Sequence, residues 1–263
     1  MAPPLIIVQA RAGGTRFPGK MLAPLLGQPL ILWTLQRIAR LAIPHRIIVA
    51  VPFGAFQDPL IALCRRHGYE VWQPCVPEND VLHRYWNIAS QVAEYTTPLV
   101  RVTGDCPLID AAVIEQCLQV FRTSIPDHVG IAAEWPDGMD CEVFSMQALQ
   151  MAHEDAEAAA DREHVTPYLW RHPERFRCVT VPCPMDLTPY QTSIDTVQDL
   201  LLAQGILDAC LERYGFGFGW RDIWYCLEQH LHLKTLMLQR PPRNQSYVAQ
   251  VGVETWEEAR YGE

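Results

Sequence analysis

No stretch of the chain approaches the ~20 consecutive apolar residues that a membrane helix requires, so no span is expected. The amino-terminal segment has no basic region followed by an apolar stretch and a cleavage site, and no secretory signal is expected either. Nine cysteines are present, but no two form a C-x-x-C pair. The nearest two, Cys178 and Cys183, have no histidine at zinc spacing. That pattern excludes a zinc module and a disulfide scaffold, and fits reduced thiols in a cytoplasmic protein. Positive charge is scarce: 21 Lys and Arg stand against 30 Asp and Glu, a formal charge of −9. A broad basic face is therefore absent, which argues against nucleic acid or an anionic membrane as partner. Internal repeats and low-complexity tracts are absent as well. What remains is a globular chain of 263 residues, 49% apolar, long enough for one large domain with a small appendage.

Against this acidic background the first twenty residues stand out. Leu5-Ile6-Ile7-Val8 is an apolar run suited to a central strand of a parallel sheet, and it leads directly into QARAGGTRFPGK, Gln9 to Lys20. Ligands of such sheets collect beyond the carboxyl ends of the strands. Gly13, Gly14 and Gly19 let backbone amides approach an anion, because glycine has no Cβ and accepts positive φ. Arg11, Arg16 and Lys20 add three cations, and a polyphosphate is the expected guest. Gly14 to Lys20 also spells G-x-x-x-x-G-K, the P-loop pattern. Met21, where that motif needs Ser or Thr for magnesium, excludes it. Pro24 and Pro29 follow closely, so the loop is expected to run on in extended form to Pro29 before a helix begins.

Helical and extended patterns then alternate, as in a doubly wound α/β sheet. Helices are expected at Leu30 to Leu41, Pro59 to His67, from Asn79 or Asp80 to Ala93, and at Ala111 to Arg122. Strands are expected at Ile47 to Val51, Glu70 to Trp72 and Leu99 to Thr103. The rhythm loosens afterwards, with strands near Val129 to Ala132, Glu142 to Phe144, Arg177 to Val181 and Gln191 to Ile194. Helices are expected from Met146 and Arg162, and Val197 to Arg213 closes the main domain. Residues 1–215 form that domain, and 216–263 read as a small helical extension with a polar tail.

Two acids complete the picture. Asp105 follows a buried strand in TGDCPL and emerges where the glycine loop lies. Magnesium takes one or two protein carboxylates and completes its shell with phosphate oxygens and water. Asp195 in Ile194-Asp195-Thr196 is the candidate second acid, with a helix cap as the alternative role.

The segments QARAGGTRFPGK, VRVTGDCPLID, PDGMDCEVFS, DREHVTPYLWRHPERF and SIDTVQDLLL, in that order, resemble the cytidylyltransferase family. Its members include CMP-Kdo and CMP-sialic acid synthetases, and the nearest branch looks like the spore-coat polysaccharide cytidylyltransferases. The resemblance spans roughly residues 5–215. It implies a GT-A-like nucleotidyltransferase fold, a Rossmann-like mostly parallel sheet flanked by helices. It also implies transfer of CMP from CTP to an acidic sugar or related acceptor, with release of pyrophosphate, Mg2+ as cofactor and a homodimer as the working unit. On this resemblance Arg11, Lys20 and Asp105 are the catalytic set. Gln9, Ala10, Arg11, Ala12, Gly13, Gly14, Thr15, Arg16, Lys20, Asp80 and Thr103 bind nucleotide. Asp105 and Asp195 bind metal, and Asp140, Glu142 and His164 fall on the acceptor side.

The chain departs from the family pattern in two places. Gly14 stands where Ser is common, and Val197-Gln198 replaces the usual Pro-Glu. Competing readings are a GT-A glycosyltransferase, a non-catalytic nucleotide-binding regulator and a cytidylyltransferase acting on a small phosphonate. Asp105-Cys106-Pro107 lacks the second Asp of a glycosyltransferase D-x-D pair, and no Ser/His/Asp or Cys/His motif suggests a covalent nucleophile.

Overall fold

The computed structural model describes residues 2–240. Its centre is β1 (Leu5–Gln9), every residue of which except Gln9 is buried. Such a strand must be covered on both faces and hydrogen-bonded on both edges. It pairs in parallel with β4 (Arg46–Ala50) and with β6 (Leu99–Thr103). The short hairpin of β2 (Pro24–Leu25) and β3 (Gln28–Pro29) stands apart. The main sheet has seven strands in the order β5-β4-β1-β6-β8-β7-β9, where β5 is Glu70–Trp72, β7 His128–Ile131, β8 Cys141–Phe144 and β9 Cys178–Val181. Only β8 runs antiparallel to its neighbours.

Alternation along the strands separates two apolar layers. Ile6, Val8, Val100 and Val102 join one cluster with helices α1 (Leu30–Ile38), α2 (Asp58–Arg66) and α4 (Ala111–Ser124). Leu5, Ile7, Leu99 and Phe144 join the other, with α3 (Val81–Val92), α5 (Met146–Asp155) and α7 (Pro167–Arg171). Between α5 and α7 lies α6 (Ala159–His164). The long helix α8 (Val197–Tyr214) packs into the first cluster together with α9 (Trp220–Gln229) and α10 (Leu231–Leu238). The polar tail expected after these helices lies outside the described residues.

Three segments differ from the sequence expectation. After the glycine loop the chain does not stay extended. Gly19 takes the left-handed φ of 74°, and Lys20–Leu22 forms one tight helical turn closed by bonds from Leu22 N to Gly19 O and Ala23 N to Lys20 O. Pro24 then stops it. The helix expected from Arg162 is instead two short ones, α6 and α7, separated at Val165, where φ is 76°.

Residues 191–194 make no strand beyond one bridge from Gln191 to Asp137. Thr192 N and Oγ1 both donate to Asp137 O, at 2.7 and 2.9 Å, and Ser193 Oγ bonds the Asp137 carboxylate. Hydroxyl side chains here offer the backbone an alternative to a ladder. Arg240 adds bonds to the carbonyls of Gln191 and Ser193. This segment delivers Asp195, and it rests against Gly138, whose φ is +90°. A Cβ there would lie 2.5 Å from Ser193 N and 2.5 Å from Thr192 Oγ1. Gly138→Ala is expected to cost at least about 2 kcal/mol in urea unfolding, from backbone strain and the collision together. A loss below about 0.5 kcal/mol would show that the two loops are not tightly joined.

Candidate active site

Five segments, drawn from 9–21, 78–84, 103–105, 163–164 and Asp195, meet at the carboxyl ends of β1 and β6. The glycine loop forms the first wall. Its neck is closed by Gly19 N donating to Ala12 O at 2.9 Å, and Ala12 N donates to the buried Gln57 Oε1 at 2.7 Å. Residues 13–18 bulge between these ties. A Cβ at Gly14 would come 3.3 Å from Phe17 O, a tight approach that suits glycine at the position where the family commonly has Ser.

Lys20 reaches from the end of the loop to the centre of the cleft. Its Nζ lies 2.6 Å from Asp105 Oδ2, 3.0 Å from Asp195 Oδ1 and 2.7 Å from Ile194 O. Ile194 N in turn donates to Asp105 O at 2.9 Å, so backbone joins the two acidic segments directly. Neither acid is used as a helix cap. Asp110 caps α4, and Thr196 with Asp199 forms the capping box of α8. Burial alone would lower the Lys20 pKa, but Asp105 and Asp195 outweigh it and hold it above the ordinary lysine value. Burial likewise opposes ionisation of Asp105, yet Lys20 draws its carboxyl below the usual range. Both groups are therefore charged at neutral pH. The neighbouring Cys106 thiol is pushed well above its usual range by burial and by Asp105, and offers no thiolate.

The other loop cations are paired more loosely. Arg16 Nη2 lies 3.0 Å from Asp195 Oδ2, and Arg11 Nη1 lies 3.2 Å from Glu78 Oε1. The Arg11–Glu78 side chains are about half exposed, and such pairs contribute about 0–1 kcal/mol. A phosphate can displace Glu78 at little cost.

Gln9, Ala10, Arg11, Gly13, Gly14, Thr15, Arg16, Lys20, Thr103, Asp105, His164 and Asp195 all line one cleft. Ala12 is buried behind the loop. Three expected contacts stand away from that wall. Asp80 is the N-cap of α3, accepting from His83 N at 3.0 Å and pairing with Arg162 at 2.9 Å. Asp140 accepts from Gly138 N at 3.0 Å, within its own turn. Glu142 is buried in the sheet, engaged by Arg101, His128 and Thr166. Local bonds and burial give these three carboxylates structural partners. The cleft adds Phe17, Glu78, Asn79, Arg84 and Glu163, which sequence reasoning did not single out. The signal for Arg101 was present: a charged residue inside the buried strand LVRVT, matched by Glu142 inside CEVF.

One observation bears on whether Asp105 and Asp195 suit magnesium: their oxygens already converge on a single cation, the Lys20 ammonium. Among the described residues no three His, Cys, Asp or Glu side chains are placed to hold a metal by themselves. Two carboxylates with the rest of the shell left to phosphate and water is what magnesium accepts, so the donor set fits.

Fold and cleft together define an α/β protein with a GT-A-like, mostly parallel sheet and a cleft at the carboxyl ends of its strands. The chain belongs to the cytidylyltransferase family, whose model, described as Cytidylyltransferase, matches residues 5–204. An uncharacterized protein of Methanocaldococcus jannaschii is 30% identical over 74% of this chain and 79% of its own length. The spore coat polysaccharide biosynthesis protein SpsF of Bacillus subtilis is 29% identical over 74% and 82%. A 3-deoxy-manno-octulosonate cytidylyltransferase of Trichlorobacter lovleyi is 33% identical over 44% of this chain and 43% of its own. In fold, a cytidylyltransferase structure from Leptospira borgpetersenii matches with a TM-score of 0.79 at 23% identity, covering 91% of this chain and 99% of that one. A CMP:2-keto-3-deoxy-manno-octonic acid synthetase structure complexed with CTP matches at 0.57 and 16% identity, over 79% and 99%.

His164 carries a pH signature. Burial first, and the Arg101 charge second, lower its pKa from 6.5 to about 4. Between those values the unfolded chain binds a proton that the folded chain refuses, so stability falls as pH falls through that window. His164→Gln is expected to flatten the dependence of unfolding free energy on pH between 6.5 and 4, measured by urea titration at stepped pH. An unchanged slope would mean that the imidazole protonates as readily folded as unfolded.

Proposed function

We propose that this protein transfers CMP from CTP to an acidic sugar or related acceptor in surface polysaccharide or glycan synthesis, with Mg2+ as cofactor. The observation that carries the reading is the convergence of Lys20, Asp105 and Asp195 at the end of a glycine-rich loop bearing two further cations. In the reaction an acceptor oxygen attacks the α-phosphorus and forms the new O–P bond. The bond to the β-phosphate oxygen breaks, pyrophosphate leaves with its electron pair, and the acceptor proton passes to solvent.

Little is required of the protein beyond position and charge. Arg11 and Arg16 clamp phosphate oxygens with planar, two-pronged donors, and the amides of the glycine loop face the same oxygens. Lys20 sits at the centre, where its fixed positive charge balances the charge that builds on the leaving group. Asp105 and Asp195 would hold magnesium, which neutralises phosphate charge when bound. No side chain is needed as a covalent nucleophile. The assignment to residues 1–215 is supported by the cleft, to which no described residue beyond Asp195 contributes. A homodimer working in the cytoplasm completes the reading, on family likeness.

The test is CTP-dependent pyrophosphate release across a panel of 2-keto-3-deoxy sugar acids, nonulosonic acids and small phosphonates, with magnesium. One acceptor class should support turnover with CTP and not with ATP or GTP. Asp105→Asn is expected to reduce turnover by about a hundredfold or more, the loss of a charge that holds both the ammonium and the metal. Lys20→Met, which keeps the aliphatic stem, should lower kcat/KM by roughly tenfold to a hundredfold, the loss of one or two charge-assisted contacts. Equal calorimetric affinity for all four nucleotides, or an unimpaired Lys20→Met variant, would refute the reading.

A further inference from the structure

The segment that delivers Asp195 is tied to helices beyond the stretch that the family model matches, which ends at residue 204. Tyr190 OH donates to Glu228 Oε1, on α9, at 2.9 Å, and Lys234 Nζ fixes the same carboxylate at 2.6 and 2.8 Å. Gln191 N donates to Met237 Sδ, on α10, at 3.1 Å. Leu233 of that helix packs so closely on α8 that a Cβ at Gly205 would come 2.8 Å from it. The last tie is Arg240, just past α10. Its Nη1 donates to Gln191 O and its Nη2 to Ser193 O, the latter at 2.9 Å. Its Nε lies 2.9 Å from Asp199 Oδ1, while Asp199 Oδ2 accepts from Asp195 N at 2.9 Å and from Thr196 N at 2.8 Å.

The guanidinium therefore brackets Asp195. It holds two carbonyls on the amino-terminal side of that residue and, through the Asp199 carboxylate, the Asp195 amide itself. The Arg240 and Asp199 side chains are only 10% and 7% exposed. A carboxylate buried to that degree is costly unless paired, and Arg240 supplies the pairing that lets Asp199 anchor the backbone. Its planar fork also sets three acceptors in fixed directions, which an ammonium on a flexible stem does not. Neither residue lines the cleft. What they fix is where the Asp195 carboxylate stands, 3.0 Å from Lys20 and 3.0 Å from Arg16. Partners behind a metal ligand set its orientation, and a carboxylate held this way is ready for a cation before one arrives.

We infer that Arg240 is a positioning residue for Asp195, and that α9 and α10 belong functionally with the cleft although they lie beyond the family model. The inference rests on the reading of Asp195 as a magnesium ligand given above. It is tested by calorimetry of CTP over stepped magnesium concentrations, with urea unfolding alongside, on the wild type, Asp195→Asn, Arg240→Gln and Arg240→Lys. Magnesium should strengthen CTP binding in the wild type, and Asp195→Asn should lose most of that gain. Arg240→Gln is expected to raise about tenfold the magnesium concentration that gives half the gain, the effect of removing a partner that orients a ligand. Its CTP affinity without magnesium should be unchanged, because Arg11, Arg16 and Lys20 are retained. Arg240→Lys keeps the charge beside Asp199 and should fall between wild type and Arg240→Gln; it carries the same comparison if the glutamine variant does not fold. A variant that loses unfolding free energy but keeps the wild-type magnesium dependence would make Arg240 a brace of α10 alone and overturn the inference. So would an equal loss of CTP affinity with and without magnesium, which means that the whole cleft has shifted. If Asp195→Asn itself kept the full gain, the metal reading would fall, and the inference with it.

Discussion

The cleft is organised by one ammonium group. Lys20 lies 2.6 and 3.0 Å from carboxylates that belong to segments far apart in sequence, and it also holds the carbonyl of Ile194. Two carboxylates drawn this close together in a partly buried cleft would repel, and one would take up a proton. The ammonium between them offsets that repulsion, and it draws the Asp105 carboxyl below its usual range. The surrounding structure follows from this constraint. Gly19 turns the chain so that Lys20 points inward, the bond from Ile194 N to Asp105 O brings the second acid alongside the first, and Gly138 permits the close loop contact behind it.

The two faces of the central sheet contribute differently. On one, α1, α4, α8 and α9 bury an apolar layer that fixes the carboxyl ends of the strands. On the other, the apolar layer gives way near the cleft to a polar row, the partly buried Gln9 and Arg101 with the buried Glu142 and His128. Such a row is costly unless every member is bonded, and it is retained next to the site, where fixed hydrogen-bonding direction has a use.

Much of this was legible in the residues. Period-two and near-four apolar spacing located most helices and strands, because burial on one face or two leaves that trace. That the glycine loop walls a cleft was legible because glycines and cations gather at the end of a strand in a chain otherwise acidic. The relevance of Asp105 followed from its place just after a buried strand. The partners of Asp80, Asp140 and Glu142 were not legible. Each is a carboxylate in a motif-bearing segment, and whether it faces a ligand or a backbone amide depends on neighbours distant in sequence. The same holds for Glu78, Asn79, Arg84 and Glu163, which enter the cleft only because α3 and α6 dock where they do.

By itself, then, the amino-acid sequence determined the sheet, the glycine loop at its edge and the family, since these depend on local periodicity, on glycine's freedom near Lys20 and on which side chains can carry charge. Only the tertiary structure decided which carboxylates act together. Asp105 and Asp195 meet because a backbone bond and one lysine join them, while Glu142 is turned inward because Arg101 stands opposite it in register. Electrostatic partnership falls off over a few ångströms, and sequence spacing says nothing about distance between strands that are not neighbours along the chain.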